Sequence, residues 1–404
     1  MLGISTPVSQ GQYHRFVLDM FNEKDYVGLP TGFMSLFGRP ESGSKSVFDA
    51  ETLEFDIDII RANERIASLV PRGTMALPVE GHSASVKEKF TERNIIPPLG
   101  EELSPIDANQ LFMRSAGENS FQTRSRLDKM REIARELHVE QHRRFVRTFE
   151  LLASTVILTG KMPAIIGTTD TGLTYDFKRK GTHTFTAGAS WATAGTNILG
   201  DIDTGCELVR QDAHVTPDYA LASSEAMAGI LVNTKILANA DNRRVDQGYI
   251  TTNGSMPAKF DHLIKNGFTF RGVLDTPKGH TLHLFTYLDG YDNASGTYTK
   301  FLTTDKFVIG STQARFDRVF GPGERLPMTA SEDTYYQEIF GFSPDAAPMP
   351  ASATATESGL IDPRMFHHDV IVPDHKKSLM IRTQCAPVFI PTMVDSIVVI
   401  DITP

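Results

Sequence analysis

The stretch from Thr123 to Gly160, TRSRLDKMREIARELHVEQHRRFVRTFELLASTVILTG, constrains the fold more than any other part of the chain. It predicts one unbroken helix of about 35 residues, roughly 50 Å long at 1.5 Å per residue. Leu127, Met130, Ala134, Leu137, Gln141, Phe145, Phe149, Leu152 and Val156 recur at three- and four-residue spacing and form a single stripe. Glu132, Glu136, Glu140, Arg143, Arg147 and Glu150 are expected on the opposite, solvated face. Ser125 with Asp128 is a start signal and Gly160 a stop signal. The last turns (Leu151, Leu152, Val156, Ile157, Leu158) are apolar nearly all round, so that end should be buried. A spine of this length, in a chain otherwise built of short strands, needs partners along its whole length.

The leading segment is apolar in spite of its breakers. Residues 1–47 are broken by Gly3, Pro7, Gly11, Gly28, Pro30, Gly32, Gly38, Pro40 and Gly43, yet they carry Phe16, Val17, Leu18, Met20, Phe21, Tyr26, Phe33, Met34, Leu36 and Phe37. That content is too apolar for a disordered tail and fits an arm buried against another surface, including another copy. Glu51–Ile60 then alternates strictly, as a half-buried strand does, with Leu53, Phe55, Ile57 and Ile59 on one side and Glu54, Asp56 and Asp58 on the other. The acids read as a solvated strand face, since alternation alone does not converge them on a metal. Up to residue 120, short strands are punctuated by Pro and Gly, and Lys87, Glu88, Lys89, Glu92 and Arg93 surround only Val86 and Phe90. A hairpin this polar cannot stand alone in water, so it folds back on the body or projects onto a neighbour.

Beyond the spine, residues 164–191 read as turns and strands, and Asp201–Val209 and Tyr219–Ala240 as helices, the second entered through Thr216-Pro217. Ser255-Met256-Pro257 opens a short helix that Gly267 closes. Residues 280–310 read as a hairpin turning among Asp289, Gly290, Asn293 and Gly296, followed by a buried strand at Phe307–Ile309. The Pro/Ala/Ser/Thr-rich run 343–357 reads as a surface loop, and the strand-rich end from Leu379 closes a sheet.

Chemistry is harder to find. Gly38–Ser46 (GRPESGSKS) approaches a phosphate loop, but Ser44 separates Gly43 from Lys45. His367, His368 and His375, with Asp369 and Asp374 nearby, are candidate metal ligands whose spacing lacks a helix or a Cys pair, and surface histidines are the plainer reading. Arg143, Arg144 and Arg147 offer phosphates a basic patch, against a plainer reading as salt-bridged helix surface with Glu140. Cys206 has no sequence support as a nucleophile, and Asn293-Ala294-Ser295 is a sequon without a secretory route. No catalytic, cofactor-binding or metal residues emerge, and no cofactor is implied. Two cysteines suit a reducing cytoplasm, the opening residues lack the pattern of a signal peptide, and no run of 18 apolar residues would span a membrane. A formal charge of −9 argues against tight nucleic-acid binding, though not against a container that holds nucleic acid without gripping it.

Four stretches together resemble the major capsid proteins of tailed bacteriophages, of the lambda protein E type. They are the acidic alternating strand leading into Arg65–Gly73, the spine ending Glu150…Lys161, the strand-plus-turn Phe307–Arg315 (similar to the family's VLGNTQAR), and Gln384-Cys385-Ala386-Pro387 (similar to QSAP) with its terminal strands. The resemblance implies an α+β Hong Kong 97-like fold with a long spine helix, an extended β-hairpin loop, and peripheral and axial domains. On that basis 1–47 is an N-terminal arm, 48–122 the extended loop region, 123–200 the peripheral domain with the spine, 201–325 the axial domain, and 326–404 the peripheral return with the C-terminal strands. The implied function is structural and not enzymatic. Copies would assemble as hexamers and pentamers of an icosahedral head around double-stranded DNA, without sequence-specific contact. Scaffolding, decoration and portal proteins are the further partners, and host cytoplasm the place of assembly. Lys–Asn crosslinks from Lys87 or Lys89 are disfavoured by the lambda-like resemblance. Two alternatives stay open: an encapsulin-like shell protein, and a soluble metal-dependent enzyme built on His367, His368 and His375.

Overall fold

The computed structural model describes residues 28–39, 42–48, 58–62, 85–89, 98–107, 126–163, 174–236, 250–251, 257–293, 295–322, 360–361, 365–371 and 378–403. Expectations for the arm before residue 28, for 51–57, for His375 and for the 343–357 loop lie outside them.

The spine is α1, Arg126–Thr159. Ala134, Gln141, Phe145, Phe149, Leu152 and Val156 of the expected stripe are all buried, and Met130 and Leu137 pack against the same core. The buried face is wider than that stripe. His138, His142, Val146, Ala153 and Ile157 join it, so α1 is covered by several elements instead of one seam. Glu150 corrects the expected solvated face: its side chain is 0% exposed. The helix stops at Gly160 (φ +70), a left-handed position that a side chain resists. Its last carbonyls, which have no partners within the helix, are taken by Arg179. Nη2 donates to Val156 O (2.9 Å) and Ile157 O (2.6 Å), and Nη1 to Leu158 O (3.2 Å).

One side of α1 carries an antiparallel sheet ordered His367–Ile371, Ser378–Cys385, Gly100–Asp107. Gln141 stitches helix to sheet, its amide donating to Ser104 Oγ (2.9 Å) and Ile381 O (3.2 Å) while accepting from Thr383 Oγ1 (2.6 Å). A second three-stranded sheet, Ser46–Val47, Asp317–Phe320, Pro387–Ile390, carries the described chain after the arm into the same core.

The largest sheet has seven strands, in the order Thr184–Thr186, Val398–Asp401, Lys306–Gly310, Tyr219–Ala222, Thr281–Thr286, Thr269–Asp275, Ile250–Thr251. Its register explains its sequence. Val399, Val308, Leu221 and Phe285 lie in one row and face the core shared with α1. The adjoining row, Val398, Ile309, Ala220 and Leu284, faces a second core under α2 (Ile198–Ala213), α3 (Ser224–Val232) and Trp191. A sheet buried on both faces has no polar side, so its strands lose their alternation. That corrects the helix expected from Tyr219: residues Tyr219–Ala222 are a fully buried strand. The helix begins only after Ser223, whose hydroxyl accepts from Ala226 N–H as a cap (3.2 Å). Thr216-Pro217 therefore enters a strand.

The region 280–310 is also rearranged. Thr281–Thr286 pairs backwards with Thr269–Asp275, and the hairpin turning at Asn293–Thr297 is the smaller one of Gly290–Asp292 with Tyr298–Lys300. A short helix α4 (Asp261–Lys265) ends at Gly267 (φ +99) as expected. The central sheet reaches beyond 201–325 in both directions, because Thr184–Thr186 and Val398–Asp401 are among its strands. Separately, Asp58–Ala62 pairs with Ser85–Lys89 as a two-stranded ribbon. Its Ile59 is fully buried in the main core, so this end of the ribbon is seated on the body, beside α2 and the turn Val394–Ser396.

Candidate assembly elements

The arm joins the body through the 3₁₀ turn Phe33–Leu36, every residue of which is buried. Gly32 lies so close to the rings of Tyr287 and Phe268 that a Cβ would come within 2.6 and 2.9 Å of them, so only glycine fits. Phe33 then packs edge-on against Phe268 (5.9 Å) and Tyr287 (5.5 Å), and Phe37 against Phe316 (5.6 Å) and Phe389 (5.1 Å). The free N–H groups at the start of this turn point at the spine. Phe33 N–H donates to Glu150 Oε1 (2.6 Å) and Met34 N–H to Glu150 Oε2 (2.9 Å). The Tyr287 hydroxyl accepts from Gly32 N–H (3.3 Å) and lies beside the same carboxylate. Burial pushes Glu150 up to about 7 in spite of these donors, with Asp289 adding a like charge. One carboxylate thus ties together the arm, the spine and the end of a central-sheet strand. The spacing pattern gave no sign of it, because the donors lie over a hundred residues away.

The strand-plus-turn Phe307–Arg315 is held by a second carboxylate. Asp218 accepts from Thr312 N–H (2.8 Å), from the Thr312 hydroxyl and from Lys259 Nζ (2.7 Å), while Ser311 Oγ donates to Thr216 O (2.7 Å). Ala314 is buried behind the turn. Asp218→Ala leaves the Thr312 N–H without its acceptor and should cost about 2 kcal/mol, read as a lower denaturant midpoint at unchanged slope.

The other candidates disperse. His367 Nε2 lies 3.3 Å from Gly321 O. Among the described residues no three His, Cys, Asp or Glu side chains converge as metal ligands. Arg144 is paired with Glu102 (3.1 Å) and Glu140 (2.5 Å), as the salt-bridged surface reading has it, and Arg147 is exposed. Cys206 is buried under the central sheet, where desolvation pushes its thiol up to about 12, the opposite of an activated nucleophile. Lys87 and Lys89 lie in the described ribbon, at Lys87↔Ile60 and Lys89↔Asp58.

Against this geometry, the profile of the phage major capsid protein E family matches residues 35–330. The chain belongs to that family. It is a structural capsid protein of the virion, one of the subunits from which a phage shell is built, and not an enzyme. The crystal structure of a prophage capsid protein from Escherichia coli CFT073 superposes with a TM-score of 0.58 at 17% identity, over 99% of this chain and 100% of that one. That likeness confirms the α+β Hong Kong 97-like fold. Weaker likenesses include the mature capsid of bacteriophage PhiM1 (TM-score 0.41, 13% identity, 89% and 85% covered). Another is the SrpI encapsulin of Synechococcus elongatus PCC 7942 (TM-score 0.38, 8% identity, 88% and 84% covered). No curated protein matches the chain.

Proposed function

We propose that copies of this chain close into hexamers and pentamers of an icosahedral head that encloses double-stranded DNA without reading its sequence. The arm (1–47) and the extended loop (48–122) are the parts that reach neighbours. The spine and the strands of 123–200 and 326–404 form the peripheral domain, whose two three-stranded sheets are completed by Ser46–Val47, Gly100–Asp107 and Asp317–Phe320. The central sheet forms the axial domain, 201–325 together with the strands Thr184–Thr186 and Val398–Asp401 that pair into it. The observation that carries this reading is the arm's root. Among the described residues the chain enters its own core from Leu29 and Pro30 onward, and the sequence before them carries Phe16, Val17, Leu18, Met20, Phe21 and Tyr26, an apolar content suited to burial against a neighbour. Rings of five and six from one sequence need such adaptable links between rigid bodies. Obligate interfaces of roughly 2,000 Å² or more per pair then add up around a shell.

A net charge of −9 lets packaged DNA slide over the inner wall, with scaffolding, portal and decoration proteins as further partners and the host cytoplasm as the place of assembly. Negative-stain imaging of the expressed full-length chain tests the reading. Closed shells or rings of five and six are expected, and a compact monomer at high concentration would overturn it. Neutralising Arg143, Arg144 and Arg147 together should leave shell formation intact, because the paired Arg144 contributes only about 0.5 kcal/mol as a surface ion pair. Lower DNA content in those heads would assign the patch to phosphate contact.

A further inference from the structure

We propose that the apolar patch of Ile264, Leu288 and Tyr298 is the seat for the arm of a second copy, taking that copy's segment Tyr13–Phe21. The three side chains are 43%, 49% and 57% exposed. They belong to elements that the fold holds against one another. α4 ends at Gly267, whose N–H donates to Ile264 O (3.2 Å), and a Cβ on Gly267 would lie 3.1 Å from Asp289 Oδ2. The Tyr298 hydroxyl donates to Leu288 O (3.1 Å), and a Cβ on Gly290 would come within 2.7 Å of the same ring. An aromatic side chain fixed by its own hydrogen bond, yet left in water, loses little freedom when a partner covers it, which suits a binding anchor.

The occupant follows from where the arm leaves the body. Thr31 Oγ1 donates to Asn266 Oδ1 (3.2 Å), and Asn266 directly precedes Gly267, so the arm departs beside the patch. Upstream, Tyr13, Phe16, Val17, Met20 and Phe21 recur at the three- and four-residue spacing of an amphipathic helix, and six residues separate Phe21 from Gly28. Nine helical residues on an extended six-residue link reach roughly 35 Å from Gly28, far enough to pass to an adjoining copy. The patch stays exposed in the subunit although its own arm departs beside it, so the segment that covers it comes from another copy. An amphipathic helix laid on an apolar patch joins two different surfaces, head to tail. Such contacts propagate into rings when the rotation closes, and rings are what the assembly reading requires. The proposal rests on that reading.

Photo-crosslinking of the full-length chain tests it. A benzophenone amino acid replaces Phe16, nitrogen-15-labelled and unlabelled copies are mixed before assembly, and the irradiated product is digested and read by mass spectrometry. Links from position 16 to peptides within 261–268 or 287–300 are expected, with pairs that join a labelled to an unlabelled copy among them. Links confined to one isotope mean that each arm covers its own patch and overturn the proposal, as do links to other parts of the chain. In a second measurement, Ile264→Gln with Leu288→Gln should raise the concentration needed for assembly at least about tenfold. An unchanged concentration overturns the proposal, and if that variant does not fold the crosslinks decide alone. Imaging of the same samples separates the two readings. Absence of shells sinks the assembly reading and the docking with it, whereas shells whose position 16 links lie elsewhere sink the docking alone.

Discussion

Arg179→Ala should destabilise the subunit by about 3 kcal/mol, the upper range for losing hydrogen bonds made by a charged group. The side chain is part-buried at the end of the spine, and desolvation pulls the guanidinium down to about 10 against the attraction of Asp395. It donates to the carbonyls of Val156, Ile157 and Leu158 at the end of α1, where the macrodipole is negative and the helix stops at Gly160. Alanine takes the guanidinium donors from the Ile157 and Leu158 carbonyls and leaves Val156 O with only its bond from Gly160 N–H (2.9 Å). Thermal or urea unfolding of the isolated subunit reads the loss. Arg179→Lys should recover only part of it, because a single ammonium cannot span three carbonyls as a planar fork does. Equal stability of the alanine variant and the wild type would show that water replaces the guanidinium, contrary to its burial.

Gly229→Val should cost about 3 kcal/mol or more, for a steric reason. Gly229 is in α3, and a Cβ there would lie 2.7 Å from the carbonyl oxygen and 3.1 Å from the carbonyl carbon of Trp191. Both are backbone atoms and cannot swing aside. Overpacking of this kind costs about 1–3 kcal/mol even where side chains can yield. Here α3 would lift from the loop that carries Trp191, whose ring packs on Phe307 (5.1 Å) and whose indole N–H donates to Asp201 (3.1 Å). Loss of near-ultraviolet dichroism from Trp191, the only tryptophan, should accompany the drop in stability. An unchanged tryptophan signal would mean that the helix can shift without cost.

The spine was legible because its buried positions repeat at helical spacing for 34 residues, long enough for the period to be unmistakable. The same reading misplaced Glu150. Hydropathy assigns a charged residue to water, and only a partner distant in sequence reverses that. Tyr219–Ala222 was misread because a strand buried on both faces is an unbroken apolar run, which periodicity cannot tell from a helix. Ser223 was the available signal: a capping residue followed by Ser224-Glu225 marks where the helix starts. At 280–310 the turn around Asn293–Gly296 and the buried strand Phe307–Ile309 are where they were expected, but the longer hairpin with Thr269–Asp275 was missed. Turn residues at 289–296 drew the whole stretch into one hairpin, although Thr276–His280, which aligns Thr281–Thr286 with the preceding strand, carries its own turn signal in Pro277 and Gly279 (φ +85). The segments proposed to reach neighbours read in the sequence as apolar and breaker-rich. Their attachment points were not, because attachment is a long-range property of the folded chain.

The position of Val398–Asp401 has a consequence for synthesis. This strand lies between Thr184–Thr186 and Lys306–Gly310, inside the sheet and not at its rim. A nascent polypeptide halted before residue 398 would have a slot where an interior strand belongs, and its two flanking strands could not meet. Prematurely terminated products therefore cannot masquerade as finished subunits, and a growing shell is protected from incorporating them.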